Sequence, residues 1–211
     1  MKRIVLAVAA AVALVAVAGP ALFIWGPWAP EDRFADCRSG GPRPGLSELG
    51  GPFTLTDQTG TIMTEADVIA GPTLIYFGYT FCPDVCPFDN ARNADAVDLL
   101  EGRGYEVRPV FISVDPARDT PEALAAFASM MHPRMLALTG TPEQVQAASR
   151  AYRTFYRIRD PDDAYYLIDH STFTYLAFPG AGVVEAFERD TTPEDMAARV
   201  ACFVDRARIR P

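Results

Sequence analysis

Thr73-Leu-Ile-Tyr-Phe77-Gly78-Tyr-Thr-Phe81-Cys82-Pro-Asp-Val-Cys86-Pro87 is the stretch on which the reading of this chain turns. It opens as a short unbroken apolar run, the pattern of a strand buried on both faces of a sheet. It closes on two cysteines four residues apart. That is one helical turn, so both sulfurs can share a face with Cα atoms near the roughly 4 to 7 Å range that a disulfide tolerates. Pro83 biases Cys82 away from helical geometry, while Pro87 suits a first helical position and sets Cys86 at the cap. A thiol at a helix start feels the positive end of the dipole and is held more as thiolate, the form that attacks disulfides and binds metals. The pair is therefore expected to clasp a metal when reduced and to close on itself when oxidised. A static structural disulfide is the bland alternative.

His170 follows Cys86 by 84 residues, in Leu167-Ile-Asp-His170-Ser-Thr-Phe173 between two expected strands. The chain has two histidines. A site with two thiolates needs a third donor to hold copper or zinc firmly, and His170 is the candidate. A hydrogen-bonded turn histidine is the competing reading. Asp169 reads as a surface acid, with orientation of the imidazole as its alternative. His132 ends an expected helix, where a cation suits the dipole, and Met130 and Met131 read as core filling rather than thioether donors.

Outward from the cysteines, Phe53 to Thr56 and Thr61 to Thr64 alternate about the turn Asp57-Gln-Thr-Gly60 and read as a hairpin. A helix is expected from Pro87 to Leu100, and buried strands at Val107 to Val114 and Met135 to Leu138. Thr-Pro-Glu recurs at Thr120, Thr141 and Thr192, each a helix start with Thr as cap and Pro first inside, the last helix running to about Ala207. Strands are expected at Tyr165 to Ile168, Thr172 to Phe178 and Val183 to Phe187. Strands alternating with helices after an N-terminal hairpin make an α/β sandwich of the thioredoxin type, with the cysteines at the carboxyl end of a central strand, where such sheets place their sites. Arg150, Arg153, Arg157 and Arg159 form a basic stretch, read as a solvated face with a docking patch as the alternative.

The 211-residue chain begins Met-Lys2-Arg3 and is then almost wholly apolar from Ile4 to Trp25. Ala16-Val-Ala18 resembles a signal cleavage site, but the run resumes through Trp25 and favours an uncleaved transmembrane helix over a cleaved signal. Lys2 and Arg3 keep the N-terminus in the cytoplasm, so residues beyond about 30 are exported. The expected organisation is an anchor over 1–29, a Pro/Gly-rich tether over 30–51 and a thioredoxin-like domain over 52–211. Setting Lys2 and Arg3 aside leaves 17 of the 19 basic residues against 27 acidic ones. A surface so acidic argues against nucleic acid and anionic lipid as partners, and fits a partner with a basic face. Cys37 and Cys202 are candidates for a disulfide in an oxidising compartment, with two unpaired buried thiols as the alternative.

Phe77 to Pro87, Phe111-Ile-Ser-Val-Asp115-Pro-Ala-Arg-Asp119-Thr120, His132-Pro-Arg134, Leu138-Thr-Gly-Thr141 and Asp169-His170-Ser171 with Tyr175-Leu176 together resemble the Sco/SenC proteins. The resemblance covers about residues 52 to 207. It implies a membrane-tethered thioredoxin-like metallochaperone that delivers copper to the CuA centre of cytochrome c oxidase, with Cys82, Cys86 and His170 as the copper ligands. Its expected partners are the CuA-bearing subunit, and further copper chaperones or a thioredoxin-like reductant. Its expected place is the inner membrane, single-pass, with the domain facing the periplasm. The family often has Asp-Pro-x-Gly after Tyr-Leu, where this chain reads Ala177-Phe178-Pro179-Gly180. The competing function is enzymatic: a thiol-disulfide reductase that keeps the CuA cysteines reduced and has no need of His170. A thiol peroxidase, needing one activated cysteine, is the third reading.

Overall fold

The computed structural model describes residues 32–38 and 45–208, together with Ala16. The expected transmembrane helix lies outside the described residues save Ala16, and among the described residues no helix is long and apolar enough to cross a membrane. The chain divides into two units, Met1–Ala35 and Asp36–Pro211. In the first, Asp32 holds a turn through the N–H groups of Phe34 and Ala35.

The second unit is built on a seven-stranded mixed sheet. Its strands are β1 (Thr54–Asp57), β2 (Ile62–Thr64), β3 (Thr73–Gly78), β4 (Arg108–Ser113), β5 (Leu136–Thr139), β8 (Thr174–Phe178) and β9 (Gly182–Phe187), in the order β2-β1-β5-β4-β3-β8-β9. β6 (Tyr156–Ile158) and β7 (Ile168–His170) form a separate antiparallel pair. β3 runs parallel to β4, and β4 to β5; the pairings of β3 with β8, β8 with β9, β1 with β5 and β1 with β2 are antiparallel. Every residue of β3 is buried, as its apolar run predicts for a strand with partners on both edges. Here the sequence expectation of a thioredoxin-like α/β architecture holds.

Among the described residues five α-helices complete the unit: α1 (Glu65–Val68), α2 (Val85–Glu101), α3 (Pro121–Met131), α4 (Pro142–Ala151) and α5 (Pro193–Arg208). The threonine caps form as expected. Thr120 accepts from the Ala123 N–H, Thr141 from Gln144 and Thr192 from Asp195. Such caps contribute about 1 kcal/mol each. α2 packs along α5, and α4 rests on β1. Between sheet and α4, Tyr152 packs against Phe53, Phe77 and Tyr175, and burying aromatic surface of this kind is the main stabilising term of such a core.

Several boundaries differ from expectation. α2 starts at Val85 with Asp84 at its cap, so Cys86 and Pro87 both lie inside the first turn. Proline is tolerated there because the first turn has no intrahelical acceptor for its N–H groups. The strand expected at Tyr165 to Ile168 is instead β7, which starts three residues later and ends two later, paired with β6, which the sequence reading missed. Both strands are only three residues long, too short to carry the alternation that marks a strand. After β8 the departure from the family pattern closes as a tight turn, with the Ala181 N–H donating to Phe178 O (3.2 Å) and Gly180 at φ 69°.

The second unit begins ahead of Gly51. Cys37 and Cys202 form a disulfide with a Cα–Cα distance of 5.6 Å, Arg206 pairs with Asp36 (2.6 Å), and Arg38 donates to Val184 O (3.2 Å). The Gly50 N–H donates to Ala151 O (2.8 Å), while Leu46 and Leu49 pack against the core.

Candidate metal centre

β3 ends at Gly78, and the chain turns through Tyr79, Thr80 and Phe81 before Cys82. A Cβ at Gly78 would lie 2.8 Å from Cys86 Sγ, so a glycine is what lets the start of α2 approach the strand end this closely. Cys82 stays outside the helix with its N–H on Tyr79 O (3.3 Å), and its sulfur accepts the Cys86 N–H at 3.4 Å. That donor is one of the orphan amides of the helix start.

His170 reaches the same point from the end of β7. Its Nε2 lies 3.3 Å from Cys86 Sγ and its Nδ1 2.9 Å from the Ser171 carbonyl. A carbonyl only accepts, so Nδ1 carries the proton and Nε2 turns its lone pair toward the thiol. The rings of Tyr76 and Tyr79 meet the imidazole edge-on, with centroids at 6.1 and 5.8 Å. The ligand atoms of Cys82, Cys86 and His170 all lie within 4.8 Å of one another. A cavity of about 280 Å³ beside them is lined by Tyr79, Cys82, Asp84, Arg159, Leu167 and His170, among others.

The two sulfurs differ in charge. The Cys86 thiol, with the N–H groups of Cys86 and Asp84, outweighs burial and holds the Cys82 pKa down at about 3. Cys86, more deeply buried beside the Cys82 sulfur, is pushed far up and stays a thiol. One proton shared between two close sulfurs gives this split.

Residues absent from the sequence reading of the site hold it in place. Asp119, beyond β4, accepts from the Thr80 N–H (3.0 Å), the Thr80 hydroxyl (2.6 Å) and the Ser113 hydroxyl (2.5 Å), tying down the loop before Cys82. Burial raises its pKa despite these donors. Asp115 accepts from the Tyr166 hydroxyl (2.7 Å) and from Arg118 Nε (2.5 Å), and Tyr79 OH accepts the Ile168 N–H (3.2 Å). The turn after β4 thus fixes both the cysteine loop and the segment carrying His170. Its signal in the sequence was a pair of acids around a proline after a buried strand.

Other candidates fall elsewhere. Asp169 pairs with Arg157 (3.1 Å) and Arg159 at the surface, as expected of a surface acid, and Ser171 orients the imidazole instead. Arg153 pairs with Glu48 (2.8 Å). His132 is buried at the end of α3. It accepts the Arg134 N–H on Nδ1 (3.1 Å) and faces Asp98 through Nε2 (3.2 Å), so both ring nitrogens are engaged. Met131 packs against the core, whereas Met130 is 73% exposed and fills nothing, a correction to its reading as core.

The thioredoxin-like domain thus gathers two cysteines and an imidazole beyond the end of β3. The SCO1/SenC family model matches residues 42–205, and the chain belongs to that family. It is 56% identical over 174 residues to protein SenC of Rhodobacter capsulatus, covering 82% of this chain and 78% of that protein. Among solved structures it is similar to copper-bound ScoI of Arabidopsis thaliana (35% identity, TM-score 0.69, 77% of this chain and 99% of that one). It is also similar to copper-bound ScoI of Bradyrhizobium japonicum (36%, TM-score 0.67, 72% and 98%).

Proposed function

We propose that this protein binds copper through Cys82, Cys86 and His170 and delivers it to the CuA centre of cytochrome c oxidase. The observation that carries this reading is the convergence of two sulfurs and an unprotonated imidazole nitrogen within 4.8 Å, a donor set suited to Cu(I). The copper-bound ScoI relatives support the metal, and the apolar run from Ile4 to Trp25 supports a single-pass anchor with the domain in the periplasm.

Copper is cargo here. The Cys82 thiolate takes it directly, Cys86 gives up its proton as its sulfur joins, and His170 supplies Nε2, so loading releases about one proton per ion. Three protein donors leave room for an acceptor thiolate. As that thiolate binds, Cys86 takes a proton back and the metal passes without becoming free.

The same dithiol supports a second reading, reduction of the acceptor's CuA disulfide. The Cys82 thiolate attacks one acceptor sulfur and the other leaves as a thiol after taking a proton. Cys86 then loses its proton and attacks the Cys82 sulfur of the mixed disulfide; the first acceptor sulfur leaves and takes up a proton, so the acceptor ends as a dithiol and Cys82–Cys86 is oxidised by two electrons. The reductase needs no imidazole. Titrating reduced, full-length protein without oxygen against a competing Cu(I) chelator separates the two. One copper per chain, weakened at least tenfold in His170→Ala, is expected. Copper retention indifferent to His170 would overturn the three-ligand carrier and leave the reductase.

A further inference from the structure

The β6–β7 pair joins through residues 159–167 and borders the cavity over Cys82 and His170 through Arg159, Leu167, Asp169 and His170. Its solvent side is not that of an ordinary loop. Tyr165 is 85% and Phe155 56% exposed, and Leu167 is also open to solvent. The Ser171 N–H donates to Phe155 O (2.9 Å), which fixes the Phe155 backbone opposite Ser171, one residue beyond the Tyr156–His170 pair. From the cysteine side, Phe81 (56% exposed) shares the Arg118 guanidinium with Tyr166 of the β6–β7 connection, at 4.8 and 3.6 Å from the two ring centroids. Large apolar side chains left exposed on an element that borders a cavity mark a surface that is covered in use.

The charge of this rim is one-sided. Asp160, Asp162 and Asp163 lie exposed in the turn between β6 and β7, and Asp84 lies exposed on the cavity wall. The basic residues of the hairpin offset them only in part: Arg157 and Arg159 share Asp169, so over residues 156–170 two guanidiniums stand against four carboxylates. Aromatic residues within a polar, charged border are the composition of a protein docking face. A second copy of this chain would bring the same carboxylates together, and an anionic membrane would be repelled, whereas a basic partner would be drawn in.

We propose that the β6–β7 hairpin is the docking element for the copper acceptor, a domain that surrounds its own thiolate ligands with lysine and arginine. The acidic turn steers the acceptor, and Tyr165, Phe155 and Phe81 then cover the cavity so that the incoming thiolate meets copper away from water. This rests on the copper-transfer reading.

The test loads the full-length protein with Cu(I) and follows transfer to the reduced, metal-free CuA-bearing domain of the oxidase at low and high salt. In Asp160→Lys/Asp162→Lys the low-salt rate is expected to fall about tenfold and its salt dependence to flatten. In Tyr165→Ala the rate falls with the salt dependence retained. Copper affinity stays at the wild-type value in both, which shows the site intact. Rates and salt dependence equal to wild type, with copper still moving, would overturn the docking role and leave the carrier standing. Self-association of the chain that both variants abolish would assign this face to a second copy and overturn the proposal as well. No transfer from the wild type at any salt would remove the carrier reading itself, and this one with it.

Discussion

Two cysteine pairs sit in this molecule, and their environments divide their work. Cys37 and Cys202 are 165 residues apart, yet the fold brings their Cα atoms to 5.6 Å, where they are joined. An ion pair between Asp36 and Arg206 and the Arg38 bond to Val184 O surround the bridge with fixed partners. Cys82 and Cys86 are one turn apart and remain free thiols. Their surroundings are donors: a helix-start N–H on one sulfur and an imidazole nitrogen facing the other. Sequence distance says nothing about which pair locks. The groups around each sulfur separate a pair that closes a loop from one that keeps a thiolate ready for reaction.

The largest expected effect probes that division at the free pair. Cys86→Ser should lower Cu(I) affinity at least a hundredfold in the chelator titration, because a hydroxyl is a poor donor to a soft metal. Cys37→Ser/Cys202→Ser should leave copper affinity unchanged while costing about 2–5 kcal/mol of stability in denaturant unfolding. A loss of copper affinity in that double variant would break the comparison and make the bridge part of the site.

Acidity sharpens the contrast further. A depressed pKa keeps Cys82 ionised above about pH 3, whereas an ordinary thiol loses its thiolate below about 8.5. Lower basicity weakens the nucleophile, so alkylation of Cys82 by iodoacetamide at pH 5 should exceed that of a free thiol by only about tenfold. Mass spectrometry should find Cys86 unlabelled under the same conditions. Labelling that vanishes below pH 7 would contradict the assigned thiolate. The smallest effect is expected at the surface: Asp169→Ala should change copper affinity by less than about threefold, since the imidazole is held by the Ser171 carbonyl rather than by this acid. A larger loss in the same titration would restore Asp169 as an orienting group.

Much of this architecture is legible in the amino-acid sequence. The buried run of β3, the threonine caps of α3, α4 and α5, and the helix after the cysteines follow from local preferences, which act over a few residues and leave a pattern in the chain. The start of α2 lies two residues before its expected place because proline is tolerated at several positions of a first turn. The β6–β7 pair leaves no such pattern because each strand is only three residues long, too short for a period to show. Asp119 is visible in the sequence only as part of a motif. Its role depends on meeting Thr80 from a turn 39 residues away in the chain.

The sequence alone determined the elements and the chemistry available: a strand-to-helix junction with two thiols, and a scarce histidine elsewhere. Tertiary structure decided which groups meet. The antiparallel pairing of β3 with β8 and of β6 with β7 carries His170 to Cys86, and the turn after β4 bonds to both sides of the site. It also joined Cys37 to Cys202 and withdrew Asp169 from the imidazole. The physical reason is range. Local propensity acts between residues close in the chain, whereas coordination, pKa and disulfide pairing depend on distances of a few ångströms between residues that only folding brings together.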